Sequence, residues 1–261
     1  QNLDFYGALW SLLYWHNESI NIWSHYIATI GLLVYIPYTW YYYLFEGAVI
    51  ESARFKDIAF ILCLNLFGNV LPILLSAFCH QFYCIDKKWH SMCWFLDFLG
   101  ILTGMLCAGI GFSFFSFYCS SLVLGAIVYG TLIAYILAIQ ICWARFKLRS
   151  DAPVLLPADR FPEFSGVLST FGFVATAVPV LLVLALVPEY QTEEQFRSML
   201  FYSVLGPVLM GLGISCFAQG NFPERFAVYW GVAESHFDML GHSHQWWHLL
   251  SASLQFAWVA I

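Results

Sequence analysis

Four ionisable side chains lie within or beside long apolar runs, and their types are those that proteins use to hold a zinc ion. They are His80, Asp97, His244 and His248. His244 and His248 are four residues apart, so a helix places both imidazoles on one face, as a metal-binding pair or as a hydrogen-bonded polar face. Three imidazoles that leave a fourth position open are typical of catalytic zinc sites. The spacing therefore predicts a zinc centre formed by His80, His244 and His248.

Asp97 and Ser76 are the candidate catalytic residues beside such an ion. Zinc lowers the pKa of bound water towards about 7, and Asp97 would accept the proton. The other role for Asp97 is to orient a ligand imidazole through a hydrogen bond. Ser76 precedes His80 by one helical turn. Its hydroxyl would bond the water or a developing oxyanion, or else the carbonyl of the preceding helical turn.

The other polar residues near the apolar runs have simpler predicted roles. Three of them precede or open the first run, where we expect hydrogen bonds at a helix start: Glu18, Asn21 and His25. His242 lies off the helical face shared by the histidine pair. Solvated loops are the expected positions of His90 and His236.

The composition predicts that these residues belong to an integral membrane protein. Of 261 residues, 61% are hydrophobic and only 10% are charged, whereas soluble domains average about 25% charged residues. The net charge of −6 comes from sparse loop residues and gives no indication of nucleic-acid binding. The eight cysteines lack zinc-ribbon spacing. Buried thiols, or a disulfide that involves Cys84 or Cys119, would account for them.

Seven apolar stretches are long enough to cross a membrane, which takes about 20 residues. They cover about residues 25–43, 58–78, 93–114, 122–143, 166–187, 199–217 and 244–261. Apolar and aromatic residues at helical spacing within residues 1–20 predict a short helix in the membrane interface, or one packed on the bundle. The predicted fold is all-α, a single seven-helix membrane domain over residues 1–261. Because the chain opens without Met and stops inside an apolar run, we expect further residues at both ends.

The basic residues predict the orientation, because cytoplasmic loops carry an excess of Lys and Arg. With the N-terminus in the cytoplasm, seven basic residues fall on the cytoplasmic side: Lys87, Lys88, Arg145, Lys147, Arg149, Arg160 and Arg225. Three fall on the other side: Arg54, Lys56 and Arg197. We therefore expect a cytoplasmic N-terminus and an extracellular or lumenal C-terminus. This topology places the zinc ligands and Asp97 at the cytoplasmic ends of the second, third and seventh spans.

Four motifs resemble those of the progestin and adipoQ receptor family, which includes the adiponectin receptors. They are NESINIWSH at residues 17–25, SAFCH at 76–80 followed by Asp97, FPER at 222–225, and GHSHQWWH at 241–248. The motifs run from the first span to the last, so the resemblance covers essentially the whole chain. It implies a seven-helix receptor with a cytoplasmic N-terminus, and a zinc ion on His80, His244 and His248.

The resemblance also implies the function. Members of the family are associated with ceramide hydrolysis, steroid response, sterol or zinc homeostasis, or Golgi tethering. The predicted function is a receptor in the plasma membrane or an endomembrane that hydrolyses a lipid amide such as ceramide in its bundle cavity. The alternatives are a steroid or hormone receptor with structural zinc, whose ligand is a lipid or an extracellular protein hormone, and a membrane scaffold. An alkaline ceramidase has a similar site, but the first motif favours the receptor family.

Overall fold

The computed structural model describes residues 3–42, 55–117, 121–149, 222–231 and 239–259, with isolated positions between 171 and 237. Within these residues the structure is helical and contains no strand, as predicted. The predicted spans 166–187 and 199–217 lie outside the described residues, apart from isolated helical positions. His236 and Cys119 lie outside them as well, whereas Cys84 is a free thiol. The disulfide considered for Cys84 is therefore wrong.

Seven α-helices are formed by the described residues. In chain order they are α1 (Phe5–Trp10), α2 (Ser19–Tyr41), α3 (Phe55–Phe82), α4 (Lys87–Phe117), α5 (Ser121–Arg149), α6 (Glu224–Tyr229) and α7 (Ser243–Val259), with a 3₁₀ helix at Ser11–Leu13 after α1. By length and composition, α2 to α5 contain stretches able to cross a membrane, and they match the first four predicted spans. The α7 helix begins where the last predicted span begins.

The membrane helices are longer than the apolar runs that predicted them. The α3 helix has 28 residues, which extend about 42 Å at 1.5 Å per residue. A hydrocarbon core is only about 30 Å thick, so the terminal turns reach the polar interface. His80 lies two residues before the end of α3, in its last turn.

Glycines allow α3 and α4 to approach closely. A Cβ atom on Gly104 would lie 2.8 Å from Cγ of Pro72 and 2.9 Å from the carbonyl oxygen of Gly68. A Cβ atom on Gly68 would collide with Cys107, and one on Gly100 would lie 3.0 Å from Cα of Pro72. Larger residues at these positions would separate the two helices, so small residues set the distance between them.

The α2 helix packs between α3 and α7. Its buried residues Ala28, Leu32 and Ile36 contact Ile73 of α3 and Ala252 of α7. The opposite face of α2 is apolar but exposed, as expected for a lipid-facing surface. The α2 helix thus holds the end of α3 beside the beginning of α7.

The N-terminal segment packs on the bundle, which is one of the two alternatives that the sequence left open. Phe5 stacks on Phe82 at the end of α3, with ring centroids 5.2 Å apart, and Ala8 is fully buried. Tyr6 and Trp10 remain 70% and 61% exposed, as expected for rings in a membrane interface. The helical part is shorter than residues 1–20, because α1 and the 3₁₀ helix end at Leu13.

Candidate metal centre

The three predicted zinc ligands come together at one end of the bundle. His80 lies in the last turn of α3, and His244 and His248 lie in the first turns of α7. Ligand nitrogens of all three imidazoles lie within 4.8 Å of one another. Nε2 of His80 is 3.2 Å from Nε2 of His244 and 3.0 Å from Nε2 of His248. His80 and His248 are buried, and His244 is half-buried.

This geometry fits a tetrahedral zinc ion. Zinc–nitrogen bonds of about 2.0–2.1 Å in a tetrahedron hold pairs of ligand nitrogens about 3.3–3.4 Å apart. The two Nε2 to Nε2 distances of 3.2 and 3.0 Å need to lengthen by only a few tenths of an ångström. The donor set of three imidazoles is also one that zinc prefers. Two of the three nitrogen pairs are therefore close to the spacing that such an ion requires, and the third pair lies within 4.8 Å.

A carboxylate from the beginning of α2 contacts the first of these imidazoles. Nδ1 of His80 donates a hydrogen bond to Oε2 of Glu18 at 2.8 Å, and Nδ2 of Asn21 donates to the same oxygen at 2.8 Å. Burial would raise the pKa of the Glu18 carboxyl, but the hydrogen bond from His80 and the nearby imidazoles outweigh burial and hold the pKa below its ordinary value. Glu18 is therefore the hydrogen-bond acceptor for Nδ1 of His80.

A fourth histidine, His25 of α2, contacts the imidazole of His248. Its Nδ1 is 3.3 Å from Nδ1 of His248, and the two ring centroids are 4.0 Å apart. His25 is itself buried, but it is not part of the group of three converging ligand nitrogens. Its contact is with Nδ1 of His248, whereas Nε2 of His248 is the nitrogen that approaches His80.

Asp97 and Ser76 lie together beside His80. Both side chains are buried. Oδ1 of Asp97 has no hydrogen-bond partner among the described residues. Unpaired buried carboxylate oxygens are costly, so an oxygen atom of this kind points to a ligand or water that the site is shaped to take. Asp97 does not belong to the group of converging ligand atoms.

Comparison with known proteins identifies the family. The model of the haemolysin-III-related family matches residues 13–256. The chain belongs to the haemolysin-III-related family. It is similar to heptahelical transmembrane protein 1 of Arabidopsis thaliana, with 26% identity over 95% of this chain and 71% of the relative. The resemblance to the progestin and adipoQ receptors is thereby confirmed, because several relatives carry that name or a related one.

Two further relatives carry the names of progestin or adipoQ receptors. Progestin and adipoQ receptor family member 3 of Homo sapiens is 25% identical over 95% of this chain and 73% of its own length. Membrane progestin receptor gamma of Mus musculus is 23% identical over 93% of this chain and 68% of its own length. With this membership and its apolar helices, the chain is an integral membrane protein.

Asn21 makes the predicted hydrogen bond at the helix start, to Glu18, whereas the roles predicted for Glu18 and His25 in this haemolysin-III-related chain need correction. Glu18 directly precedes α2, yet its side chain makes no capping hydrogen bond, because the carboxylate accepts from His80 instead. Residues 18, 21 and 25 continue, towards the N-terminus, the buried face that carries Leu32 and Ile36. That periodicity in the sequence was the signal that these polar side chains face the bundle interior.

The remaining histidines lie outside the group of three. His242 is directed to the carbonyl oxygen of Asn17, with Nε2 3.4 Å away, as its position off the shared face predicted. The prediction of a solvated loop for His90 is wrong. His90 is buried in the first turn of α4, where its ring lies 5.4 Å from that of Tyr83 and 6.3 Å from that of Trp94. The α4 helix begins before the apolar run, so its first turn still packs against aromatic neighbours.

Proposed function

We propose that this chain is a seven-helix receptor of the progestin and adipoQ type, with an intramembrane zinc site and hydrolase activity on a lipid amide such as ceramide. The observation that carries the proposal is the convergence of three imidazoles beside a buried carboxylate whose Oδ1 has no partner in the described part of the chain. Structural zinc sites are closed by four protein ligands, whereas catalytic sites keep one position open. Three converging histidines with an unpaired acid–base group favour catalysis.

The proposed topology places this site near the cytoplasmic face. The α2, α4 and α7 helices begin, and α3 ends, at the site. The excess of basic residues assigns that end to the cytoplasm and the N-terminus to the same side. A seven-helix count is supported by the seven apolar stretches of the sequence and by the similarity to a relative named heptahelical.

The side chains of the site suit amide hydrolysis. A zinc ion bound to the three histidines would polarise the amide carbonyl and make water more acidic. Asp97 would accept a proton at Oδ1 from the water whose oxygen bonds the carbonyl carbon. As the carbon–nitrogen bond breaks, Asp97 would return that proton to the leaving amine, so that a fatty acid and an amine are released. Ser76 would hold the carboxylate in position.

The location of the site suits a lipid substrate. The helices around it expose apolar side chains on their outer faces, among them Ile27, Ile30 and Val34 of α2, each more than 60% exposed. The acyl chain of a membrane lipid would lie in the apolar bundle, and its polar head would reach the imidazoles at the interface. The hydrophobic effect favours this orientation because the acyl chain stays out of water.

Elemental analysis combined with a lipid-turnover assay tests the proposal. Purified wild-type protein should contain one zinc ion per chain and release fatty acid from ceramide. Asp97→Asn should retain the zinc but lose turnover by about 10²–10⁴-fold, the usual contribution of a general acid–base group. Asp86→Asn is the matched control, because Asp86 is exposed and accepts the N–H of Trp89 outside the site. Undiminished turnover by Asp97→Asn would exclude the proposed role of Asp97.

A second candidate function is a ligand-sensing receptor in which zinc is structural. Several relatives are named progestin receptors, and an ion shared by His80 and His248 would join α3 to α7. A steroid, another lipid or an extracellular protein hormone would then change the conformation without being consumed. Protein that contains zinc and binds ceramide without cleaving it would favour this function over hydrolysis.

A further inference from the structure

Two side chains from the beginning of α2 contact the outer nitrogens of two candidate zinc ligands. Oε2 of Glu18 lies 2.8 Å from Nδ1 of His80, and Nδ1 of His25 lies 3.3 Å from Nδ1 of His248. Neither Glu18 nor His25 belongs to the group of converging ligand nitrogens, and the proposed hydrolysis does not use them. Both contacts are with Nδ1 atoms and leave the converging Nε2 atoms free of them, which suggests a separate role.

The contact with Glu18 fixes the tautomer of His80. Oε2 of Glu18 accepts a hydrogen bond from Asn21 and is placed to accept one from His80, so in this contact Nδ1 of His80 carries the proton. In a neutral imidazole the lone pair is then on Nε2, the nitrogen that faces His244 and His248. Asn21 donates to the same Oε2 atom at 2.8 Å, which holds the carboxylate in place.

The contact with His25 acts in the same way on His248. Nε2 of His248 lies 3.0 Å from Nε2 of His80, so this is the nitrogen directed at the centre. A metal on Nε2 requires the proton of a neutral His248 to be on Nδ1, and His25 is the acceptor next to that atom. His25 must then carry its own proton on Nε2.

We infer that Glu18 and His25 are positioning residues through which α2 orients His80 and His248 and sets the affinity of the centre for zinc. The inference rests on the proposed zinc site. Partners of this kind lock the ring orientation and make the ligand nitrogen more basic, and their loss typically costs about 10–100-fold in metal affinity. The first membrane helix thus contributes to the centre without providing a ligand.

Zinc affinity measured on the full chain tests this inference. Metal-free purified protein is titrated with Zn²⁺ in competition with a chromophoric chelator, and the visible spectrum of the Co²⁺-loaded protein reports the ligand geometry. Glu18→Gln keeps the shape of the side chain but removes its charge, and should weaken zinc binding about tenfold. Glu18→Ala and His25→Ala should weaken binding up to about 100-fold and reduce the intensity of the tetrahedral Co²⁺ bands.

Two further variants separate positioning from general packing. Tyr26→Phe removes the hydrogen bond from the Tyr26 hydroxyl to Gln81, which joins α2 to α3 next to His80 without touching an imidazole. Its zinc affinity should stay within about threefold of wild type. His25→Asn places an amide oxygen near the position of Nδ1 and should recover most of the affinity lost in His25→Ala.

The outcomes distinguish the inference from the proposed function. If wild type binds zinc and the Glu18 and His25 variants match its affinity and its Co²⁺ spectrum, the inference is overturned and the zinc site stands. An equal loss in Tyr26→Phe would also overturn it, because helix packing alone would then explain the effect. Wild-type protein that binds no zinc would refute the proposed centre itself. Should Glu18→Ala fail to fold, the isosteric Glu18→Gln decides.

Discussion

The close approach of α3 and α4 leads to a prediction that can be worked out atom by atom. A methyl group added by Gly104→Ala would lie 2.8 Å from Cγ of Pro72 and 2.9 Å from the carbonyl oxygen of Gly68. Carbon atoms pack best at about 3.5–4.0 Å, so the helices must move apart by several tenths of an ångström. The carbonyl oxygen belongs to the backbone and a proline ring has little freedom, so neither neighbour can rotate away.

The cost of this overpacking should be about 1–3 kcal/mol. A loss of 1 kcal/mol lowers the thermal midpoint of a chain of this size by about 2–4 °C, so Gly104→Ala should denature at least a few degrees below wild type. The same displacement would shift Asp97 of α4 relative to His80 of α3. We therefore expect turnover to fall as well, while zinc content stays unchanged because all three histidines lie on α3 and α7.

Gly130→Ala is the matched control. Gly130 is exposed on α5, and a Cβ atom there meets nothing within 4 Å in the described part of the chain. Alanine is favoured over glycine in a helix by about 0.5–1 kcal/mol, so this variant should be as stable as wild type or slightly more stable. Thermal denaturation of both variants in the same detergent makes the comparison. A Gly104→Ala protein as stable as Gly130→Ala would refute the packing described for α3 and α4.

Two further predictions concern the metal and the topology. Removal of zinc with a chelator should lower the thermal midpoint of wild-type protein but not that of His80→Ala. Zinc present at about 1,000 times its dissociation constant adds about 4 kcal/mol to the stability of a protein that binds it. Equal shifts in both proteins would argue against a bound ion at His80. A glycosylation sequon engineered upstream of Asn17 should remain unmodified in cells, because the N-terminus is expected in the cytoplasm. A glycan at that sequon would show that the N-terminus lies on the opposite side of the membrane.

The convergence of the three histidines could be predicted because the membrane restricts where ionisable groups can lie. Polar side chains at that depth are costly unless they are paired, so His80, His244 and His248 pointed to a shared partner before any contact was known. The four-residue spacing of the α7 pair added a common face. Depth and spacing are both readable from a linear sequence, which is why this part of the site was accessible.

The roles of Glu18 and His25 could not be predicted in the same way. At the start of a helix, polar side chains usually satisfy free backbone N–H groups, and this local role is favoured whenever no distant partner is known. The actual partners are 62 residues away for Glu18 and 223 residues away for His25. Only the packing of α2 between α3 and α7 brings these groups together.

Helix boundaries were less predictable than helix positions. Hydropathy placed the beginning of the third span at about residue 93, yet α4 starts at Lys87. Charged and polar residues are compatible with a helical turn that lies in the headgroup region, so hydropathy marks the hydrocarbon core and not the end of the helix. The burial of His90 was missed for this reason.

The large separation between His80 and His244 in the chain affects how the protein is made. The two residues are 164 positions apart, and translation at about 5–20 residues per second takes roughly 8–33 s to cover that interval. Glu18 and Asn21 are synthesised before His80, whereas His244 and His248 follow it by that interval. Metal capture at the proposed centre would have to wait for them, and in the preceding seconds the nascent chain offers His80 a carboxylate partner but neither histidine of α7.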